Sequence, residues 1–226
     1  MHGTATLLRT SIGQKVTMAA SGVALVLWLL GHMAGNLKAF QGPEKFNDYA
    51  EFLREMGAPV FPHSTALWIV RIAILLAVLV HIWAAARLTL MSRAARPQSY
   101  GRRLEPDAST YASRTMRWGG VILLLYIVYH LMHLTFGSVH ADFVPGDAYH
   151  NLVVGLAQWP VSVAYIVATV ALGLHLYHGL WSAAQTLGVN HPRYNRLRRP
   201  AALAVAGAIT AGFVTVPVAV LAGVIQ

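Results

Sequence analysis

The chain has 226 residues, 56% of them hydrophobic and only 11% charged, with a formal net charge of +9 and no cysteine. The apolar residues are gathered into long runs, a membrane composition rather than that of a water-soluble domain. The lack of cysteine excludes disulfides, thiolate-ligated iron–sulfur clusters and thioether-attached haem from this chain, and the positive charge, confined to particular connections, reads as a topology signal rather than a nucleic-acid footprint.

A hydrocarbon core of about 30 Å needs roughly 20 helical residues to cross it, and five stretches are long enough. The first span runs from Val16 to Phe40. Its apolar part is too long for a cleaved signal, and no small-x-small site precedes a soluble mature region, so it is expected to stay in the membrane. The connection that follows contains PEKFNDYAEFLREMG, in which Phe46, Tyr49, Ala50 and Leu53 recur at helical spacing opposite the charges. That pattern predicts an interfacial helix over Glu44 to Glu55. The second span is Ala66 to Leu90. The next connection, roughly Ser92 to Met116, and its flanks carry Arg87, Arg93, Arg96, Arg102, Arg103, Arg114 and Arg117 against Glu105 and Asp107. The third span is Trp118 to Val139, and the connection after it has two acids, Asp142 and Asp147, and no Lys or Arg. The fourth span is Trp159 to Leu187, the connection after it carries Arg193, Arg196, Arg198 and Arg199, and the fifth span is Ala201 to Ile225.

Lys and Arg accumulate on the cytoplasmic side of membrane proteins. The N-terminus and the second and fourth connections are therefore expected in the cytoplasm. The fold class that follows is an all-α membrane protein, a single domain of five transmembrane helices over residues 1–226. Its connections are too short to hold a soluble catalytic domain.

Histidine inside a spanning segment is costly and points to function. His2, His63, His140, His150 and His191 fall in the tail or the connections, where a solvated imidazole needs no special role. The other six lie in spans: His32, His81, His130, His133, His175 and His178. At about 1.5 Å per residue, His32 lies roughly 25 Å beyond Lys15 and His130 roughly 20 Å beyond Arg117, both in the outer half. His81 and His175, on helices running the other way, belong nearer the cytoplasm. Each level is thus served by a pair of parallel helices.

Two facing imidazoles per level are what six-coordinate haem iron requires, and they imply two haems b held by histidine pairs within helices one to four. Zinc would need a third or fourth ligand from Asp, Glu or Cys, which neither level supplies. A proton relay would alternate with buried carboxylates, and no Asp or Glu occurs inside a span. Gly22 and Gly120 each precede a histidine, His32 or His130, by ten residues. Each therefore stands at the level of the other pair, where it would let a helix pass close to a macrocycle it does not ligate. Ala85 and Gly179 lie one turn after His81 and His175; helix-on-helix packing is the ordinary alternative for all four.

With RWGG followed ten residues after Gly120 by YH, and HLYHGLWSAAQTLG in the fourth span, nearly the whole chain resembles the cytochrome b membrane subunit of succinate dehydrogenase and its fumarate reductase relatives, of the single-chain, five-helix, two-haem type. The resemblance implies His175, four residues before Gly179-Leu180-Trp181, and not His178; it implies His130, ten after Gly120, and not His133. It pairs His32 with His130 at a distal haem and His81 with His175 at a proximal one. His133 and His178, one turn from a ligand, are expected to pack at the rim or to hydrogen-bond a propionate or water. Some relatives carry a buried glutamate, implicated in moving protons, two residues before the fourth-span ligand; here that position is Gly173, which has no carboxyl to offer such a route. The cytochrome b of the quinol–cytochrome c complex takes two ligands from each of two helices, unlike the one per helix found here.

The resemblance implies a role as anchor and electron conduit in a bacterial cytoplasmic membrane. A flavoprotein with FAD would oxidise succinate, an iron–sulfur subunit would pass electrons on, and both would dock on the cytoplasmic face beside Arg93, Arg96, Arg102 and Arg103. Electrons would reach a membrane quinone through the two haems. Arg9, Lys15, Arg71 and Arg117 at the span ends are candidate partners for haem propionates, with snorkelling to the interface as their ordinary role. Glu51 and Glu55 are candidates for proton exchange with the quinone. A fumarate reductase anchor working in reverse, and a haem-free transporter or structural membrane protein, are the alternative readings.

Overall fold

The computed structural model describes residues 9–95 and 111–226. Among them are five helices long and apolar enough to cross a membrane and no strand. A bilayer offers no water to satisfy backbone groups, so each span must close its hydrogen bonds internally, as a helix does. The first is α1, Ser11–Leu37. Thr10 caps it, its hydroxyl oxygen accepting from the Gly13 N–H at 3.0 Å. Hydroxyls within the spans are satisfied locally: Thr17 donates to the Gly13 carbonyl and Ser21 to that of Thr17, one turn back.

After a short 3-10 turn comes α2, Pro43–Glu55, the interfacial helix expected from its pattern. Phe46, Tyr49, Ala50 and Leu53 are its half-buried face, and Glu44, Lys45, Asp48, Glu51 and Glu55 are exposed. The second span is α3, Thr65–Ala94, and the third begins as α4, Tyr111–His130. The third span was expected to run helically to Val139. Instead it leaves the α-helix at His130, continues through one turn of π-helix over Leu131–Thr135, and breaks at Gly137, whose φ of 71° suits a residue with no Cβ. Hydropathy alone could not mark that end, because Phe136 and Val139 are as apolar as the helix before them.

A second short helix, α5, Ala148–Ala157, follows. It was not expected from the sequence, being too short to register as a span. Asp147 caps it, accepting from the His150 N–H at 2.9 Å. The fourth span is α6, Trp159–Thr186, and the fifth is α7, Arg198–Leu221, beginning three residues earlier and ending four earlier than expected. Gly223, at φ 70°, turns the chain just beyond it.

In the bundle α1 packs against α3, α6 and α7, and α6 also against α4 and α7. The densest core lies at one end, under a lid formed by α2 and α5. There Tyr149, Leu152 and Leu156 of α5 meet Tyr165 of α6 and Val216, Ala219 and Val220 of α7. Asn47 ties the two lid helices: its amide nitrogen donates to Asp147 at 3.0 Å, and its oxygen accepts from the Tyr149 N–H at 2.9 Å. Phe46 meets the edge of the Tyr149 ring at 6.0 Å between centres. We call this the capped end. The opposite end carries Arg87, Arg93, Arg193, Arg196, Arg198 and Arg199. Arg96, Arg102, Arg103, Glu105 and Asp107 of the basic connection, and His2, lie outside the described residues.

Candidate functional site

Four spans bring four histidines together as two pairs. Nearer the capped end, His32 of α1 faces His130 of α4, ring centres 6.0 Å apart and planes at 81°. Nearer the basic end, His81 of α3 faces His175 of α6 at 6.1 Å and 62°. Met18, Ser21 and Gly22 of α1 meet the second pair. His32 lies ten residues beyond Gly22, so the two levels stand roughly 15 Å apart along α1.

Two imidazoles that ligate one ion from opposite sides each place a nitrogen roughly 2 Å from it and a ring centre roughly 1 Å behind that nitrogen, which puts the centres roughly 6 Å apart. Both pairs have that spacing. Among the described residues no three His, Cys, Asp or Glu side chains come close enough to hold a metal ion. Each pair is therefore a two-nitrogen donor set, which fits an ion whose other four ligands come with a macrocycle.

The surroundings orient the rings. The Nδ1 of His81 lies 3.1 Å from the Met18 carbonyl oxygen and 3.3 Å from Ser21 Oγ. A carbonyl only accepts, so Nδ1 carries the proton and Nε2 is left as the free electron pair. Nδ1 of His175 is buried and, among the described residues, has no hydrogen-bond partner. His32 stacks on Trp28, centres 4.7 Å apart and planes at 12°, and lies 5.7 Å from Phe213 of α7. Gly22 stands at the expected level and lies close to the ring: a Cβ there would come within 3.3 Å of His81 Cε1, so the imidazole would have to give by a few tenths of an ångström. Gly120 and Gly179 face no atom within 4 Å of an added Cβ.

The third-span doublet resolves differently from its expectation. His133 is not at a rim; it is 2% exposed, inside the π-turn, with Nδ1 3.0 Å from Tyr165 Oη. The same Oη lies 3.3 Å from Nδ1 of His130. His140, expected to be merely solvated, stacks on His133 at 4.9 Å, accepts at Nδ1 from the Asp142 N–H at 3.1 Å, and donates from Nε2 to the Asn151 carbonyl at 2.9 Å. Its neighbour His150 does reach the surface, 3.2 Å from Asp142. In the fourth-span doublet, His178 meets the edge of Trp181, at 5.7 Å. Sequence reading missed Tyr165 and His140, since nothing local links either to His130.

The charged candidates lie at the ends. Lys15 lines a cavity of about 300 Å³ with Ile12, Gln185 and Thr186 at the basic end of α1 and α6. Arg71 rests on the Trp68 ring at 5.0 Å, while Arg9 and Arg117 are exposed. At the capped end Glu51 accepts from Arg54 at 2.8 Å and pairs with His63 at 3.0 Å. These two partners, His63 first, hold its carboxyl below the ordinary range. The tie is therefore intact above the usual carboxylate pKa and is lost as pH falls through the lowered one. Asp147 is held low by the His150 N–H and by Asn47. Glu55 is exposed.

A family model described as the succinate dehydrogenase/fumarate reductase transmembrane subunit matches residues 92–215. That is more than half the chain, and it takes in His130, Tyr165 and His175 but not His32 or His81. Neither a curated protein nor a solved structure matches. Five membrane-crossing helices, with the third, the fourth and most of the fifth inside the matched segment, agree with that description, and the chain belongs to the family of succinate dehydrogenase/fumarate reductase transmembrane subunits.

Proposed function

We propose that the chain is a dihaem cytochrome b anchor of succinate dehydrogenase, set in a bacterial cytoplasmic membrane with its N-terminus and basic end in the cytoplasm. The observation that carries this reading is the pairing of His32 with His130 at 6.0 Å and of His81 with His175 at 6.1 Å. His32 and His130 would hold the outer, distal haem b, and His81 and His175 the inner, proximal one. When bound, the haems supply reversible one-electron chemistry whose potential is set by ligands, hydrogen bonds and burial.

The chain's own residues do the positioning. The Met18 carbonyl fixes His81 with Nε2 free, and Gly22 leaves room for that ring. Lys15, about one turn before Met18 on α1, is the candidate propionate partner on the cytoplasmic side of the inner level. A flavoprotein and an iron–sulfur subunit dock at the basic end, electrons enter at the His81–His175 level, and a quinone reacts near the capped end. The test is a pyridine haemochrome assay on the purified complex. Two haems b per chain are expected, both released by acid organic solvent because no cysteine holds them. Less than one haem per fully loaded chain would overturn the reading.

Quinone reduction consumes protons, and α2, one of the two lid helices, carries the exposed acids Glu51 and Glu55. In a Glu51→Gln, Glu55→Gln double variant with both haems retained, quinone reduction is expected to fall at least roughly tenfold. Succinate oxidation by an artificial acceptor that bypasses this subunit should be unchanged. Equal quinone activities in variant and parent would remove these carboxylates from the reaction.

A further inference from the structure

The hydroxyl of Tyr165 stands between two imidazole nitrogens, 3.3 Å from Nδ1 of His130 and 3.0 Å from Nδ1 of His133. It has a single proton, and its ring is only 7% exposed. We propose that Tyr165 is a positioning residue for the outer haem ligand His130, and that His133 sets the direction of its hydrogen bond. This rests on the dihaem reading. Because Tyr165 occupies Nδ1 of His130, the nitrogen left to ligate is Nε2. Nδ1 then carries the proton and donates it to Tyr165 Oη. The phenol's own proton must point elsewhere, and the acceptor in reach is Nδ1 of His133, which therefore carries its proton on Nε2.

His133 cannot turn away from this task. It stacks on Tyr129 at 5.4 Å and 11° and on His140 at 4.9 Å and 23°. His140 is itself fixed by the Asp142 N–H and the Asn151 carbonyl. Behind the two rings, Gly155 of α5 leaves no room even for a Cβ, which would lie 2.7 Å from His133 Cε1. The π-turn begins immediately after His130, and such turns recur at functional sites. It carries the second histidine of YHLMH, three residues after the first, to the acceptor position behind the phenol.

The inner level lacks this arrangement. His81 is oriented by a backbone carbonyl, Nδ1 of His175 has no partner among the described residues, and His178 makes an edge contact with Trp181. The two doublets look alike in sequence and differ in use.

An imidazole that donates from Nδ1 is a stronger electron donor at Nε2 and is locked in rotation. Tyr165→Phe removes the acceptor and keeps the ring. In the intact complex, with haem content measured first, the midpoint potential of the outer haem is expected to rise, and its low-spin EPR signal to shift, while the inner haem keeps both values. The outer haem is identified as the one lost in His32→Ala. His133→Met, which leaves the phenol but removes its acceptor, should move the outer potential in the same direction by less. Should Tyr165→Phe shed the outer haem, His133→Met supplies the reading. Unchanged outer values, a downward shift, or equal shifts at both haems would overturn the proposal and leave the dihaem reading intact. A parent complex with fewer than two haems would overturn that reading itself.

Discussion

Replacing His175 with alanine is expected to remove the inner haem, retain the outer one and stop electron transfer from succinate to quinone, whereas His178→Ala should keep both haems. His175 faces His81 across 6.1 Å; His178, one turn further along α6, meets Trp181. Loss of a ligand should exceed the roughly 10- to 100-fold loss of metal affinity typical of outer-shell partners, so the variant should purify with half its haem. Succinate oxidation by an artificial acceptor, which needs only the partner subunits, is the control for assembly. Equal haem loss from the two variants, at matched folding, would show that the histidines are not used as paired here.

The second large effect is expected at Gly155. A Cβ there would lie 2.7 Å from His133 Cε1 and 2.9 Å from the Nε2 atoms of both His133 and His140. None of these belongs to a free side-chain end: both rings are stacked and hydrogen-bonded. Gly155→Val should therefore push α5 off α4 and α6. Overpacking of this kind costs about 1–3 kcal/mol, which for a chain of this size lowers the thermal midpoint by roughly 2–12 °C. The outer haem should be lost before the inner one. Gly207→Ala is the matched control, because nothing lies within 4 Å of a Cβ at that position. A Gly155→Val protein as stable as that control would show that the lid tolerates separation from His133.

What could be read from the sequence follows from the reach of each signal. The five spans are legible because lipid solvates long apolar runs whatever their neighbours, and the histidines stand out because so few polar groups share those runs. Depth along a helix is a matter of counting, so the two levels and that of Gly22 follow from spacing, whereas the choice of His130 over His133 and of His175 over His178 came from the resemblance. The role of Tyr165 does not. It is one of nine tyrosines, and its partners lie 32 and 35 residues away on another helix. Whether it meets His130 depends on how α4 and α6 are rotated, and on a change of helical pitch after His130 that no residue type announces. The lid helix α5 was missed for a different reason. At ten residues it is too short for a span, although Asp147 after Pro-Gly, followed by Leu152, Val153 and Leu156, is a readable helix start. Glu51 shows a third limit: Arg54, three residues on along the same helix, could be read as its partner, but its engagement by His63 depends on where the chain returns after Met56.

On α3, Trp68, Ile69, Ile72, Leu75, Leu76 and Leu79 form one face, each more than half exposed, while His81 and the fully buried Ala84 lie on the other. A lipid tail conforms to whatever side chain it meets, so drift on the outward face is constrained by hydropathy and hardly at all by shape. In a saturation mutagenesis of this helix, exchanges among Leu, Ile, Val, Phe and Met at the five aliphatic positions should be nearly silent, and charged residues should be purged. At Ala84, where a larger side chain has nowhere to go, even a valine should be selected against. The helix would then show two mutational regimes side by side, one reading solvent preference and the other reading volume.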